Sequence, residues 1–135
     1  MTRLIDECLD DPEGYHSLLM NYGIWSRYFG CKGYPSLPVS REEAIIDDDS
    51  ALIVDQAMSN LKNQDHDMCS MLSLFYIHGL SVTAIMSNVK FNRKWAKTHF
   101  NESFIDVMRY TSYEVFLSFL ERSESVLREL IRGRQ

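Results

Sequence analysis

Between Lys90 and Lys97 the chain places four bases, Lys90, Arg93, Lys94 and Lys97, interleaved with Asn92 and Trp95 and followed by Thr98 and Asn101. Cationic side chains at this density neutralise phosphate oxygens, and from the right geometry they donate to the O6 and N7 of guanine. The cluster runs against its background, because the 135-residue chain has a formal charge of −5. It also opposes its own helix: Arg93 and Lys97 are spaced i and i+4, and like charges at that spacing weaken a helix by about 0.2–0.5 kcal/mol. A helix that only faces water needs charge but not charge of one sign, so a partner must compensate. Phosphate does so by counterion release, and three or four contacts would give a log–log salt slope of roughly −3 to −4.

Other residues with chemical potential sort differently. Asp47, Asp48 and Asp49 precede the apolar positions Leu52, Ile53, Ala57 and Leu61. Carboxylates accept from the free amides of a helix start and favour its positive end, so the triad reads as an N-cap and first turn. Magnesium sites draw their carboxylates from separated segments, and no metal is assigned here. His66 and Cys69 stand three apart, with Cys31 and His78 elsewhere, and nothing in this spacing makes four zinc ligands converge. No Gly-rich phosphate loop, Gly-x-Ser-x-Gly or HExxH occurs, so no enzyme activity and no cofactor are expected. The three cysteines are odd in number and scattered, as reduced thiols are, and no stretch reaches the roughly 20 apolar residues of a membrane span.

The elements that must hold the basic cluster follow from composition. A hydrophobic content of 45%, with two Trp, seven Tyr and seven Phe, is enough for a core, and the length suits one domain over 1–135. Charge is graded along the chain: −6 over residues 1–50, −2 over 51–89 and +3 over 90–135. Between Leu80 and Arg132 there is neither glycine nor proline, and apolar residues recur at three and four, so the fold is expected to be all-α. A short helix is expected at Thr2–Leu9 and another at Tyr15–Phe29, with Leu18, Leu19, Tyr22, Trp25 and Phe29 inward. Gly30–Ser40 has the composition of a linker, so residues 1–46 form an N-terminal section. A helix over Asp65–His78, with Asp65 as its cap candidate, is closed by Gly79 in the position that favours a left-handed residue.

Ser81 can cap a helix over Val82–Asn88, a turn is expected at Lys90 and Phe91, and Asn92 can cap the next helix. On that helix, whose recognition segment is expected over Asn92–Asn101, Ala96, Phe100 and, farther on, Phe104 share one stripe while Arg93, Lys94, Lys97, Thr98 and Asn101 project elsewhere. This is the layout of a helix-turn-helix, whose second helix enters the major groove of DNA. A plain helical hairpin with a basic outer face has the same pattern. Trp95 would pack on a neighbouring helix or lie against the DNA backbone.

The segment "FYIHGLSVTAIMSNVKFNRKWAKTHF", Phe75–Phe100, resembles region 4 of bacterial sigma factors, with Gly79, Leu80, Ser81, Ile85, Arg93 and Lys97 at matching positions. Met86 stands where that pattern usually has a small residue and Lys90 where it usually has Gly, which predicts wider helix packing and a strained turn. A longer stretch, Leu18–Met108, resembles the antitermination Q proteins of lambdoid phages: Trp25, then "IDDDSALIVDQAMSNLK", then "LSLFYIHGLSVTAI". The resemblance implies a phage late-gene regulator that binds double-stranded DNA near the late promoter, engages paused RNA polymerase holoenzyme in the host cytoplasm, and lets it read through terminators. The DNA-contacting set it implies, together with the helix-turn-helix reading, is Lys90, Asn92, Arg93, Lys94, Trp95, Lys97, Thr98 and Asn101. A sigma-like adaptor that docks on polymerase without touching DNA, and a promoter repressor or activator, are the alternatives.

The last section, 109–135, carries Phe116, Leu120, Leu127 and Leu130/Ile131 near a seven-residue spacing interrupted by Ser123. Beyond the helix-turn-helix core of 47–108, so apolar a seam must be covered, either by the protein's own N-terminal helices or by another copy (self-association) or a partner. Arg122, Arg128, Arg132 and Arg134 lie toward its end, where bases complement the helix dipole.

Overall fold

Eight α-helices make the described part of the chain, residues 2–29 and 46–133 of a computed structural model, and no strand occurs among these residues. They are α1 (Thr2–Asp10), α2 (Pro12–Phe29), α3 (Asp48–Gln64), α4 (His66–Leu72), α5 (Val82–Phe91), α6 (Arg93–His99), α7 (Glu102–Met108) and α8 (Tyr113–Arg132). The all-α expectation holds. The linker expected over Gly30–Ser40, Cys31 and Arg134 lie outside the described residues. No helix among the described residues is long and apolar enough to cross a membrane.

Helix ends follow local chemistry. α2, expected from Tyr15, begins earlier, at Pro12, because Pro at the first helical position gives up an amide that has no helical partner anyway. Asp47 caps α3 through its carboxylate, which accepts from the Ser50 amide at 3.1 Å, and Asp65 caps α4 the same way from Met68 at 3.2 Å. The capping role of the acidic triad is confirmed, and Asp48 does something further: its Oδ1 accepts from the Trp25 indole N–H at 2.9 Å. The neighbouring pair, Tyr22 O–H to Asp55 at 2.6 Å, makes a second tie between α2 and α3. Both aromatics are buried, so their polar tips must find acceptors, and the acidic helix supplies them.

The helix expected over Asp65–His78 changes pitch midway, because Ser73–Ile77 is π-helical. The wide turn packs the backbone of Tyr76 directly onto α2 at Gly23, where a β-carbon would sit 1.9 Å from the Tyr76 carbonyl oxygen. The segment closes through His78 N–H to Ser73 O and Leu80 N–H to Leu74 O, with Gly79 at φ +74°. An L side chain at that φ costs about 1–2 kcal/mol, so glycine there is a backbone requirement.

The widened turn also carries the Tyr76 ring to α8. Its hydroxyl donates to the Glu124 carboxylate, His16 Nδ1 lies 3.2 Å from the same hydroxyl, and Tyr15 O–H donates to the Glu124 carbonyl at 2.5 Å. Arg128 lies over the Tyr15 ring, 4.7 Å from its centroid. Burial pushes the Glu124 carboxyl above its ordinary range; the Tyr76 hydrogen bond, His16 and Arg128 pull it back, and Glu121 adds to the rise. A raised carboxyl binds its proton more readily folded than unfolded, so stability from this group is present at low pH and is lost as pH rises from about 4.3, the unfolded value, through the folded one. We expect Glu124→Gln to remove that loss. Urea midpoints compared across the range should show the variant gaining on the wild type as pH rises, and parallel curves would contradict the assignment.

One buried cluster draws side chains from every helix. α8 is its spine, packing against α1, α3, α4 and α5. Phe116, Leu120, Leu127 and Ile131 are all buried, so the seam of the last helix is covered by the protein's own core. The break at Ser123 is accommodated because its hydroxyl, fully buried, donates to the Phe119 carbonyl at 2.8 Å.

Candidate nucleic-acid interface

The basic cluster is built on α5, α6 and α7. Ser81 caps α5 by accepting from the Ala84 amide at 3.1 Å, and Val82, Ile85 and Val89 fix its inner face in the core. The helix does not stop at Asn88: Lys90 and Phe91 are helical, and the whole turn is one residue, Asn92, at φ −131°. No left-handed residue is needed there, which is why Lys90 can stand where a glycine was expected and why the turn is not strained. Met86 is half-buried against the core. Asn92 then caps α6 through its side-chain oxygen, which accepts from the Trp95 amide at 3.2 Å.

α6 is seven residues long and ends before the expected Asn101. A continuing helix would send the Asn101 amide to Lys97 and leave the His99 carbonyl for Ser103. Here Asp67, at the start of α4, accepts from the Asn101 amide at 2.9 Å and from its side-chain nitrogen at 3.3 Å, and His66 Nε2 lies 3.1 Å from the His99 carbonyl. Tertiary partners have replaced helical ones, and Phe100 becomes extended (φ −129°, ψ 155°). Phe100 and Phe104, expected on one helical stripe, therefore belong to different elements. They still meet, with rings stacked at 4.8 Å, and Phe104 also packs on Phe119 of α8.

The predicted residues separate accordingly. Ala96 is fully buried under α6, and Arg93, Lys94, Lys97 and Thr98 are exposed. Trp95 is half-buried, its ring 4.5 Å from that of His99. Thr98 returns its hydroxyl to the Trp95 carbonyl at 2.6 Å. Asn92 is occupied as a cap and Asn101 lies in the α6–α7 turn. Lys90 reaches across to donate to the Thr111 carbonyl at 2.6 Å, which ties the end of α5 to the α7–α8 turn.

The chemistry that sequence reasoning missed is acidic. Arg93 pairs with Asp106 at 3.3 Å and Lys97 with Glu102 at 3.1 Å, with every one of the four side chains between 45% and 60% exposed. Bases spaced i, i+4 on α6 thus face acids spaced i, i+4 on α7, two rungs of an antiparallel ladder. The like-charge cost read from the sequence has a compensating partner inside the molecule. The only sequence signal was the matching spacing of Glu102 and Asp106 a few residues on; the bend at Phe100 that folds them back has none. Lys94 makes neither an ion pair nor a hydrogen bond among the described residues. Phe91, beside the turn, is 84% exposed.

His66, Cys69 and His78 line a cleft of about 300 Å³ with His99, Tyr22, Asp55 and Lys62. Burial, with His78 nearby, holds His99 below its ordinary range, and burial raises the Cys69 thiol. No three His, Cys, Asp or Glu among the described residues are arranged to hold a metal ion.

Residues 16–117, three quarters of the chain, match the family model described as phage antitermination protein Q. The chain belongs to that family. Its role is antitermination in phage transcription. No curated protein and no solved structure gives a significant match. The part of this Q-family protein that matches runs from α2 into the first turn of α8, and so takes in both the Trp25–Asp48 bond and the α5–α6–α7 surface.

Proposed function

We propose that this antitermination protein binds double-stranded DNA near a phage late promoter, with α5 as the bracing helix and α6 as the recognition helix of a helix-turn-helix, and engages paused bacterial RNA polymerase in the host cytoplasm so that it passes terminators. The observation that carries the reading is the split face of α6: Ala96 is sealed into the core, while Arg93, Lys94, Lys97 and Thr98 stand on one short, doubly anchored helix with their heads in solvent. Ion pairs as exposed as those on Arg93 and Lys97 contribute roughly 0.2–1 kcal/mol, so a phosphate or a guanine edge competes for them readily. Lys94 needs no release at all.

Arg93→Glu and Lys97→Glu are each expected to weaken binding to late-promoter duplex about tenfold or more, in line with roughly 1–3 kcal/mol for a base or phosphate contact. Fluorescence anisotropy at fixed salt measures it. Circular dichroism should be unchanged, because exposed substitutions usually move stability by no more than about 0.5 kcal/mol. Binding that survives both reversals would remove α6 from the interface.

The neutralisation of Arg93 and Lys97 within the molecule favours one second reading, an adaptor that docks on polymerase without DNA contact. Under that reading the same reversals leave DNA retention unchanged and reduce terminator readthrough.

A further inference from the structure

We infer that Glu102 and Asp106 are specificity determinants, acting as built-in phosphate surrogates that hold Lys97 and Arg93 back from DNA of the wrong sequence. The inference rests on the reading of α6 as the recognition helix and adds how that helix rejects wrong DNA. A phosphate oxygen and a carboxylate oxygen offer a guanidinium or ammonium the same thing, a charged acceptor at about 2.7–2.9 Å. In the free protein both bases already have one, at 3.3 and 3.1 Å. Any duplex, whatever its sequence, must displace the carboxylates to gain these two contacts, and the displaced acids then stand beside the DNA backbone as repelling charges. A random duplex offers only phosphate in exchange, so the exchange is close to even. A matching site adds base-edge contacts, which only it can offer, and these tip the balance. Discrimination then comes from a penalty laid on every wrong partner, together with the attraction to the right one.

Three features of the structure support a placed screen over an incidental surface pair. The pairs form a matched ladder, with Arg93 against Asp106 and Lys97 against Glu102, so both bases that share an i, i+4 row are met by acids in the same row. The helix that carries the acids is held in register by groups outside it: Asp67 grips Asn101 by both its backbone and side-chain nitrogens, and Ile105 and Met108 anchor α7 in the core. Lys94, between the two paired bases, is left without an acid among the described residues. A single unscreened cation gives weak, sequence-blind attraction, enough for first encounter but not for retention.

The test uses the full-length protein with Glu102→Gln, Asp106→Asn and the double variant, changes that keep shape and hydrogen-bonding ability and remove only charge. Anisotropy is measured against a random-sequence duplex and against late-promoter duplex over a salt series. For the double variant the affinity for random duplex should rise about three- to tenfold, and that for promoter duplex less, so that their ratio falls. The log–log salt slope on random duplex should steepen by about 0.9 for each base released to phosphate, a change that a purely structural role would not produce. Wild-type protein that binds promoter duplex, with variants within twofold of it on random duplex and an unchanged slope, overturns the inference and leaves the DNA-binding reading standing. If neither wild type nor variants bind either duplex, that reading fails and this inference falls with it.

Discussion

Gly23→Ala should lower the stability of the protein by about 3 kcal/mol or more. The added methyl would fall 1.9 Å from the Tyr76 carbonyl oxygen and 2.7 Å from its carbonyl carbon, inside any tolerable contact. The obstacle is backbone, so no side-chain rotamer relieves it, and α2 would have to lift off the π-helical segment. Lifting it also loosens the Tyr76 hydroxyl from Glu124 and His16, and the two aromatic–carboxylate ties from α2 to α3. In an open helix the same change would gain about 1 kcal/mol of helix propensity. Overpacking typically costs about 1–3 kcal/mol and occasionally more; a clash with main chain belongs at the upper end, and we expect a net loss of about 3 kcal/mol or greater. Urea denaturation measures it directly. A variant as stable as wild type would mean that α2 and the π segment do not approach this closely.

Phe116→Ala is expected to cost about 3–5 kcal/mol, the range for emptying a buried aromatic site. Phe116 is wholly buried on α8, the helix that packs against α1, α3, α4 and α5, so the neighbours that would have to collapse into the cavity belong to separate elements and are tied elsewhere. For a domain whose total stability is of the order of 5–15 kcal/mol, the melting temperature should fall by on the order of 10–20 °C. Scanning calorimetry gives the number, and a fall under about 3 °C would contradict the packing. On the proposed reading of α6 as the recognition helix, the variant below its melting temperature should bind DNA within about twofold of wild type, because none of the α6 side chains is touched. The stability of the scaffold and the charge of its surface are then separable by experiment.

The order of the helices could be read from the chain because it rests on local chemistry. Asp47, Asp65, Ser81 and Asn92 each cap the helix expected of them, and a cap needs only the amides two and three residues on. The burial of Phe116, Leu120, Leu127 and Ile131 follows from periodicity, which any helix must respect. Where α6 ends does not. The spacing of Ala96, Phe100 and Phe104 reads as one continuous helical stripe, and only Asp67, thirty-four positions before Asn101, takes the amide that would have continued it. The π turn at Ser73–Ile77 is equally non-local, since its carbonyl faces a glycine on another helix.

The candidate site divides the same way. Sequence alone determined that a short helix would carry Arg93, Lys94 and Lys97 outward over a buried Ala96, because the 3.6-residue repeat dictates which side chains share a face. The tertiary structure alone decided that Lys90 would turn inward to Thr111, that Asn101 would leave the face for Asp67, and that Glu102 and Asp106 would fold back against two of the bases. Charge can be counted along a chain, but its compensation depends on distance in space, and here two extended residues, Phe100 and Asn101, set that distance.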